Sequence, residues 1–247
     1  MRNIRLELAY DGTHYLGWQK TRMGPSIEEA LERILKQVLQ HPISLQAASR
    51  TDAGVHAEGQ VVNFFTPKEI ALDKLQYSLN CLLPPDIAIT SAMQAEDHFH
   101  PTLDAQGKEY HYHLCYGRVQ LPHRRLTSWH YPASLDVQAM QKAIPLLLGH
   151  RDFSAFCNVK KNNNYAHYTR YIESISLHLC DNDYMQFRIE GNHFLYKMVR
   201  NLVGTLVYVG CGKIALERLS DIISGGDRTQ AGMTAPALGL FLYRVKY

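Results

Sequence analysis

Ser26-Ile27-Glu28-Glu29-Ala30-Leu31-Glu32-Arg33-Ile34-Leu35-Lys36-Gln37-Val38-Leu39 reads as an amphipathic helix. Ile27, Ala30, Leu31, Ile34, Leu35, Val38 and Leu39 fall on one apolar stripe at helical spacing, the pattern of a helix lying on a core. Ser26 with Glu29 three residues on makes a capping box at its start, and His41-Pro42 ends it. Before it, Ile4, Leu6, Leu8 and Tyr10 alternate with Arg5, Glu7 and Ala9, a strand with one wet face, stopped by Asp11-Gly12. After it, strands are expected over 43–48 and 60–65, a weaker helix over 68–81 opened by Pro67 and stopped by Pro84-Pro85, and a strand over 87–92. The order β-α-β-β-α-β is the ferredoxin-like split unit, and it fills about the first hundred residues.

The second half repeats the alternation less cleanly. Tyr110, Tyr112 and Leu114 suggest a strand, and 135–148 a helix bent by Pro145. A hairpin is expected from 172–179 to 184–189 across Asp181-Asn182-Asp183. Helices follow at 195–209 and 216–223, and a last strand at 240–245. The reading is two α/β halves, 1–105 and 106–247.

Composition narrows the class. The chain has 247 residues, 46% hydrophobic and 20% charged, enough for a real core. Its 26 Lys and Arg against 23 Asp and Glu leave a net charge of +3, which permits a nucleic-acid partner without announcing one. Cys81, Cys115, Cys157, Cys180 and Cys211 are odd in number and none pair as CxxC, against a zinc ribbon or a secreted disulfide scaffold. Charges at Arg2, Arg5 and Glu7 stand where a signal peptide needs an apolar stretch, and no apolar run approaches the ~18 residues of a membrane span. The expectation is a soluble, cytoplasmic protein with no membrane partner.

Several common sites are missing: there is no G-x-S-x-G elbow, and Gly210-Cys211-Gly212-Lys213 lacks the upstream Gly of a P-loop. His98-Phe99-His100 and His111-Tyr112-His113 could each chelate on a strand, but a catalytic zinc needs a third protein ligand and none is indicated. The loop Arg50-Thr51-Asp52-Ala53-Gly54-Val55-His56-Ala57 crowds a guanidinium, a carboxylate and an imidazole around a Gly between two core strands; the competing reading is a solvent-facing turn. In the 195–209 helix, Arg200 lies off the main apolar stripe near Tyr196, Val203, Gly204 and Val207. It either meets an anion there or snorkels to water. Arg118, His123, Arg124 and Arg125 precede Trp129, His130 and Tyr131, and Lys160 and Lys161 with three Asn precede Tyr165, His167 and Arg170. Cations for phosphates with rings and amides for bases suit RNA; solvated charged loops are the alternative.

Seven motifs in order give a resemblance. Residues 50–57 resemble the signature of the TruA family of tRNA pseudouridine synthases, and Tyr10-Asp11-Gly12-Thr13-x-Tyr15-x-Gly17-Trp18-Gln19 its N-terminal motif. Phe99-His100-Pro101, Lys108-x-Tyr110-x-Tyr112, Asp152-Phe153-Ser154-x-Phe156, Gly191-Asn192-x-Phe194-Leu195-Tyr196-x-Met198-Val199-Arg200-Asn201 and Ala235-Pro236-x-x-Gly239-Leu240 follow. Ser49, Thr102 and Glu109 depart from the family's usual residues.

The resemblance implies an α+β fold: two ferredoxin-like (RRM-like) halves sharing a mostly antiparallel sheet, with the active cleft between them. It implies isomerisation of uridine to pseudouridine at positions 38, 39 and 40 of the tRNA anticodon arm, by a homodimer, without cofactor or metal. Asp52 is then the catalytic carboxylate, Arg200 the cation that keeps it charged, and Tyr110 the ring that stacks on the flipped uracil and serves proton transfer at C5. Arg50 guards the gap left by the extruded base, and Leu240 walls the pocket against water. His56, Phe99, His100, Pro101, Arg118, Lys160 and Lys161 complete the expected substrate contacts. A non-catalytic RNA-binding module of the same shape and a metal-dependent hydrolase built on the His pairs are the alternatives; the joint presence of Asp52, Tyr110 and Arg200 disfavours the first.

Overall fold

Up to residue 106 the chain runs β1 (Arg2–Tyr10), α1 (Ile27–Leu39), β2 (Gln46–Ala47), β3 (His56–Thr66), α2 (Leu72–Leu82) and β4 (Ile87–Ala95). Beyond it come β5 (Gly107–Cys115), β6 (Trp129–His130), α3 (Val137–Ala143), β7 (Gly149–Asp152), β8 (Thr169–Cys180), β9 (Tyr184–Gly191), α4 (Met198–Gly210), α5 (Leu219–Gly225) and β10 (Leu240–Lys246). This is a computed structural model, and it describes residues 1–159, 165–180 and 183–247. Two compact units result: Met1–Gln106 with Phe241–Tyr247, and Gly107–Leu240.

In the first unit the alternation of β1 buries Ile4, Leu6, Leu8 and Tyr10. β1 pairs antiparallel with β3 on one side and with β4 on the other. α1 forms as its stripe dictates. The Ser26 hydroxyl accepts from the Glu29 N–H at 3.3 Å, Ile27, Leu31, Ile34, Leu35 and Leu39 are buried, and Gln40 turns left-handed at φ 60° to end it. Leu31 is fully buried, so Leu31→Ala is expected to cost about 3 kcal/mol, read as a lower urea midpoint with an unchanged m-value.

Three expectations need correction here. The strand expected over 43–48 shrinks to Gln46–Ala47. β2 pairs antiparallel at Asn63 and Val62, and β10 pairs in parallel at His56 and Ala57. The helix expected from 68 starts at Leu72, because the Arg2 guanidinium takes the carbonyls of Lys68 and Ile70, at 3.4 and 3.0 Å. The last seven residues belong to the first unit, so the second ends at Leu240 rather than at the C-terminus. The Lys246 carbonyl accepts from the Gln106 N–H at 2.9 Å, and the Tyr247 hydroxyl donates to the Pro101 carbonyl at 2.9 Å.

In the second unit the strands run in the order β5-β9-β8-β7, each pair antiparallel, with β6 added in parallel to β5. The sequence β5-α3-β8-β9-α4 is the β-α-β-β-α part of the same split unit. The helix expected over 135–148 ends at Ala143 and tightens into a 3₁₀ turn over Ile144–Leu147, since Pro145 has no N–H to continue an α-helix. The helix expected from 195 starts at Met198, because Lys197 is left-handed at φ 61°. α4 is buried on nearly every side, with Asn201 and Thr205 wholly enclosed. Among the described residues no helix is long and apolar enough to cross a membrane.

Candidate active site

The loop carrying Asp52 is braced by the motif at residues 10–19. The Trp18 N–H donates to the Thr51 carbonyl at 3.1 Å and the Gly54 N–H to the Tyr15 carbonyl at 3.3 Å. The Tyr10 and Thr51 hydroxyls share a hydrogen bond of 2.8 Å. Within the loop the Val55 N–H donates to the Asp52 carbonyl at 3.1 Å, and Gly54 supplies the left-handed turn at φ 75°. Two backbones come too close for side chains. A Cβ on Gly12 would stand 2.0 Å from the Val55 oxygen, and one on Gly17 2.6 Å from the Thr51 oxygen. Gln60, buried on β3, anchors the loop's other end by donating to the Ser49 carbonyl at 2.7 Å and accepting from its N–H at 3.2 Å. Asp52 is half-buried and Arg50 exposed. A carboxylate on so constrained a backbone is aimed rather than mobile.

His56 is not a surface group. It is only 1% exposed, its ring stacks on Phe241 at 4.5 Å, and its Nδ1 lies 3.2 Å from the Gly12 nitrogen and 3.1 Å from Asp11 Oδ1. It ties the loop to the cradle. Phe99 and Pro101 are also engaged within the first unit. The Phe99 ring lies under the Arg5 guanidinium at 5.5 Å and beside Tyr247 at 5.1 Å, and its carbonyl accepts from Asn3 and Asn63, both at 3.1 Å. Pro101 is buried. These two residues brace His100, whose Nδ1 accepts from the Thr102 and Leu103 N–H groups at 3.1 and 3.3 Å. The His100 ring is half-exposed. Thr102 donates its hydroxyl to the Ala47 carbonyl at 2.7 Å.

In the second unit Tyr110 stands on β5, 8% exposed, with its ring edge-to-face on Phe194 at 5.1 Å. Lys108 and Tyr112 share its strand face by the period of two. Burial pushes the Lys108 ammonium down to about 8. Tyr112 donates its hydroxyl to the Pro236 carbonyl at 2.8 Å, and burial holds its phenol well above the ordinary range. Gly239 packs against Tyr112 so closely that a Cβ would stand 2.7 Å from its ring and from the His113 oxygen; this sets the start of β10, where Leu240 is buried.

Arg200 lies in the first turn of α4. Its Nε–H donates to the Ala235 carbonyl at 2.7 Å, and the Ala235 N–H donates back to the Arg200 carbonyl at 3.1 Å. Arg118 is exposed. It lines a hollow of about 360 Å³ with Tyr116, Pro132, Ser134 and Asp183. Arg124 covers the Tyr184 ring at 4.0 Å, and Arg170 the Tyr165 ring at 5.6 Å. Lys160 and Lys161 lie outside the described residues.

The His pairs do not assemble a metal site. His98 pairs with Glu96 at 3.1 Å on the surface, and His111 Nε2 with Glu109 Oε1 at 2.8 Å. His113 bonds the Tyr184 hydroxyl. Among the described residues no three His, Cys, Asp or Glu side chains gather as ligands. One half-buried polar cluster escaped the sequence reading: the guanidinium of Arg228, which gathers Asn158, Asn201, Gly232 and Thr234 around it. Asn201 stood in a recognised motif, but nothing in the polar run Asp227-Arg228-Thr229-Gln230 marked Arg228.

Known proteins resemble the chain end to end. The family described as tRNA pseudouridine synthase matches residues 8–104 and 143–247. A tRNA pseudouridine synthase A 2 of Protochlamydia amoebophila (strain UWE25) is 55% identical over 248 residues, covering 100% of this chain and 95% of that protein. A tRNA pseudouridine synthase A of Thermoanaerobacter sp. (strain X514) is 41% identical over 247 residues, covering 100% of both. One of Myxococcus xanthus is 41% identical over 251 residues, covering 100% of this chain and 92% of that one. With both halves matched and the Asp52 loop inside the match, the chain belongs to the tRNA pseudouridine synthase family.

Proposed function

We propose that this chain converts uridine to pseudouridine at positions 38, 39 and 40 of the tRNA anticodon arm, acting in the cytoplasm as a homodimer. The reaction is an isomerisation: the C1′–N1 bond breaks, the uracil turns, a C1′–C5 bond forms, and the C5 hydrogen leaves as a proton while N1 gains one. No oxidant, reductant or group donor is consumed. The observation that carries the reading is the half-buried carboxylate of Asp52 on a backbone braced from both sides.

The two units divide the work. The first, with its Asp loop, supplies the carboxylate that acts as nucleophile or assists the detached base, and Arg50 meets the strand from which the base is extruded. The second supplies Tyr110 as stacking ring and proton-transfer group, Leu240 as apolar wall, and Arg200 as the cation for the anionic chemistry. His100, Arg118, Lys160 and Lys161 contact the RNA backbone. The test is incubation with unmodified tRNA transcripts and position-resolved mapping of pseudouridine. Product confined to positions 38–40 supports the reading, and product elsewhere or none rejects it. In the same assay Arg200→Met is expected to lower the rate by about 10²-fold or more, and an undiminished rate removes Arg200 from the chemistry.

A further inference from the structure

The residues 232–235 lie as a strap along α4. The Gly232 N–H donates to the Thr205 hydroxyl at 2.9 Å. A Cβ on Gly204 would stand 1.8 Å from the Met233 oxygen, and one on Gly232 2.5 Å from the Gly204 oxygen. At the strap's end the Ala235 carbonyl takes the Nε–H of Arg200 at 2.7 Å. Because Nε lies in the guanidinium plane, that bond fixes the plane's orientation and hence the direction of the terminal nitrogens.

Arg228 pins this strap. Its Nη1 donates to the Gly232 carbonyl at 2.8 Å, and its Nη2 to the Asn201 Oδ1 at 2.8 Å and the Thr234 hydroxyl at 2.9 Å. Its Nε reaches the Asn158 Oδ1 at 3.3 Å. Asn201 sits one residue beyond Arg200 on α4, fully buried; it donates to Phe156 and Asn158 and accepts from Thr234 at 2.7 Å. All four acceptors of Arg228 are neutral, and they come from three places in the chain, Asn158, Asn201 and the strap. A group that served only solubility or RNA affinity would not be turned inward onto them.

We propose that Arg228 is a positioning residue for pseudouridine formation, holding the 232–235 strap on α4 so that the Ala235 carbonyl aims the Arg200 guanidinium. This rests on the reading that Arg200 acts in the chemistry. Arg228→Lys keeps the charge but cannot span the four acceptors with a fork. Single-turnover rates, steady-state KM for tRNA and thermal midpoints are measured for Arg228→Lys, for Thr234→Val, for Arg200→Lys and for the Arg228→Lys/Arg200→Lys pair.

The expected result is a single-turnover rate about tenfold or more below wild type for Arg228→Lys, a KM within about twofold, and a smaller loss of the same kind for Thr234→Val. In the Arg200→Lys background, which lacks the aimed guanidinium, the Arg228 substitution is expected to add less than about twofold. Losses that multiply in the pair, or a wild-type rate for Arg228→Lys, overturn the clamp while leaving Arg200 in place. A wild-type rate for Arg200→Lys together with Arg200→Met overturns the reading of Arg200 itself. Should Arg228→Lys fail to fold, Thr234→Val and its pair with Arg200→Lys decide by the same criteria.

Discussion

Asp52→Asn is expected to lower pseudouridine formation by at least about 10³-fold while leaving tRNA affinity within about twofold. The substitution keeps size and shape and removes the charge. The hydrogen bonds that hold the loop run through the backbones of Thr51, Asp52 and Gly54 and through the Thr51 hydroxyl, so the backbone at 52 stays where it is. Affinity for tRNA comes mainly from cations on phosphates, which the change does not touch. Release of hydrogen from C5 of the target uridine, followed in labelled tRNA, measures the first half, and filter binding the second. Appreciable turnover by the Asn variant would remove the carboxylate from the mechanism; lost binding with a lowered thermal midpoint would make Asp52 a structural residue.

Gly17→Ala is expected to unfold the cradle beneath that loop. Gly17 stands at φ 94°, where side chains are strained, and the added Cβ would lie 2.6 Å from the Thr51 oxygen and 3.0 Å from the Ala53 nitrogen. Both contacts are with backbone, so no rotamer relieves them. Together strain and collision are expected to cost about 3 kcal/mol or more, seen as a lower denaturant midpoint, with reduced activity in the fraction that folds. Gly212→Ala is the control. Gly212 is also left-handed, at φ 73°, but nothing lies within 4 Å of its Cβ position, so only the conformational cost of about 1 kcal/mol is expected. Equal losses at the two positions would show that the close approach to Thr51 carries no weight.

Local pattern made the first unit legible. The alternation of β1 and the stripe of α1 are short-range signals, and each forms as its residues require. What the pattern could not reveal was a partner so far along the chain. β3 reaches back to His56, where β10, 174 positions after Thr66, pairs with it. The motif residues show a related limit. A motif marks which residues matter together without saying which face solvent. His56 and Pro101 turn inward, whereas Arg50 and Arg118 turn outward. Arg228 was invisible because its partners come from Asn158, Asn201 and the 232–235 strap, an arrangement with no period and no spacing. The cap at Lys197 was equally hidden: a left-handed lysine carries no sequence mark of the kind a Gly or Asn would give.

The parallel pairing of β10 with β3 has a consequence for biosynthesis. On the ribosome β3 is finished at Thr66, yet the residues that complete its edge at His56 and Ala57 start only at Phe241. At ordinary elongation speeds the nascent segment waits on the order of ten seconds with that edge unpaired and without Phe241 to cover His56. Tyr247, which seals the Phe99 segment, emerges later still. A stalled or clipped polypeptide lacking residues 241–247 therefore presents an open β edge beside the Asp52 loop, a natural handle for chaperones and proteases before any tRNA is touched.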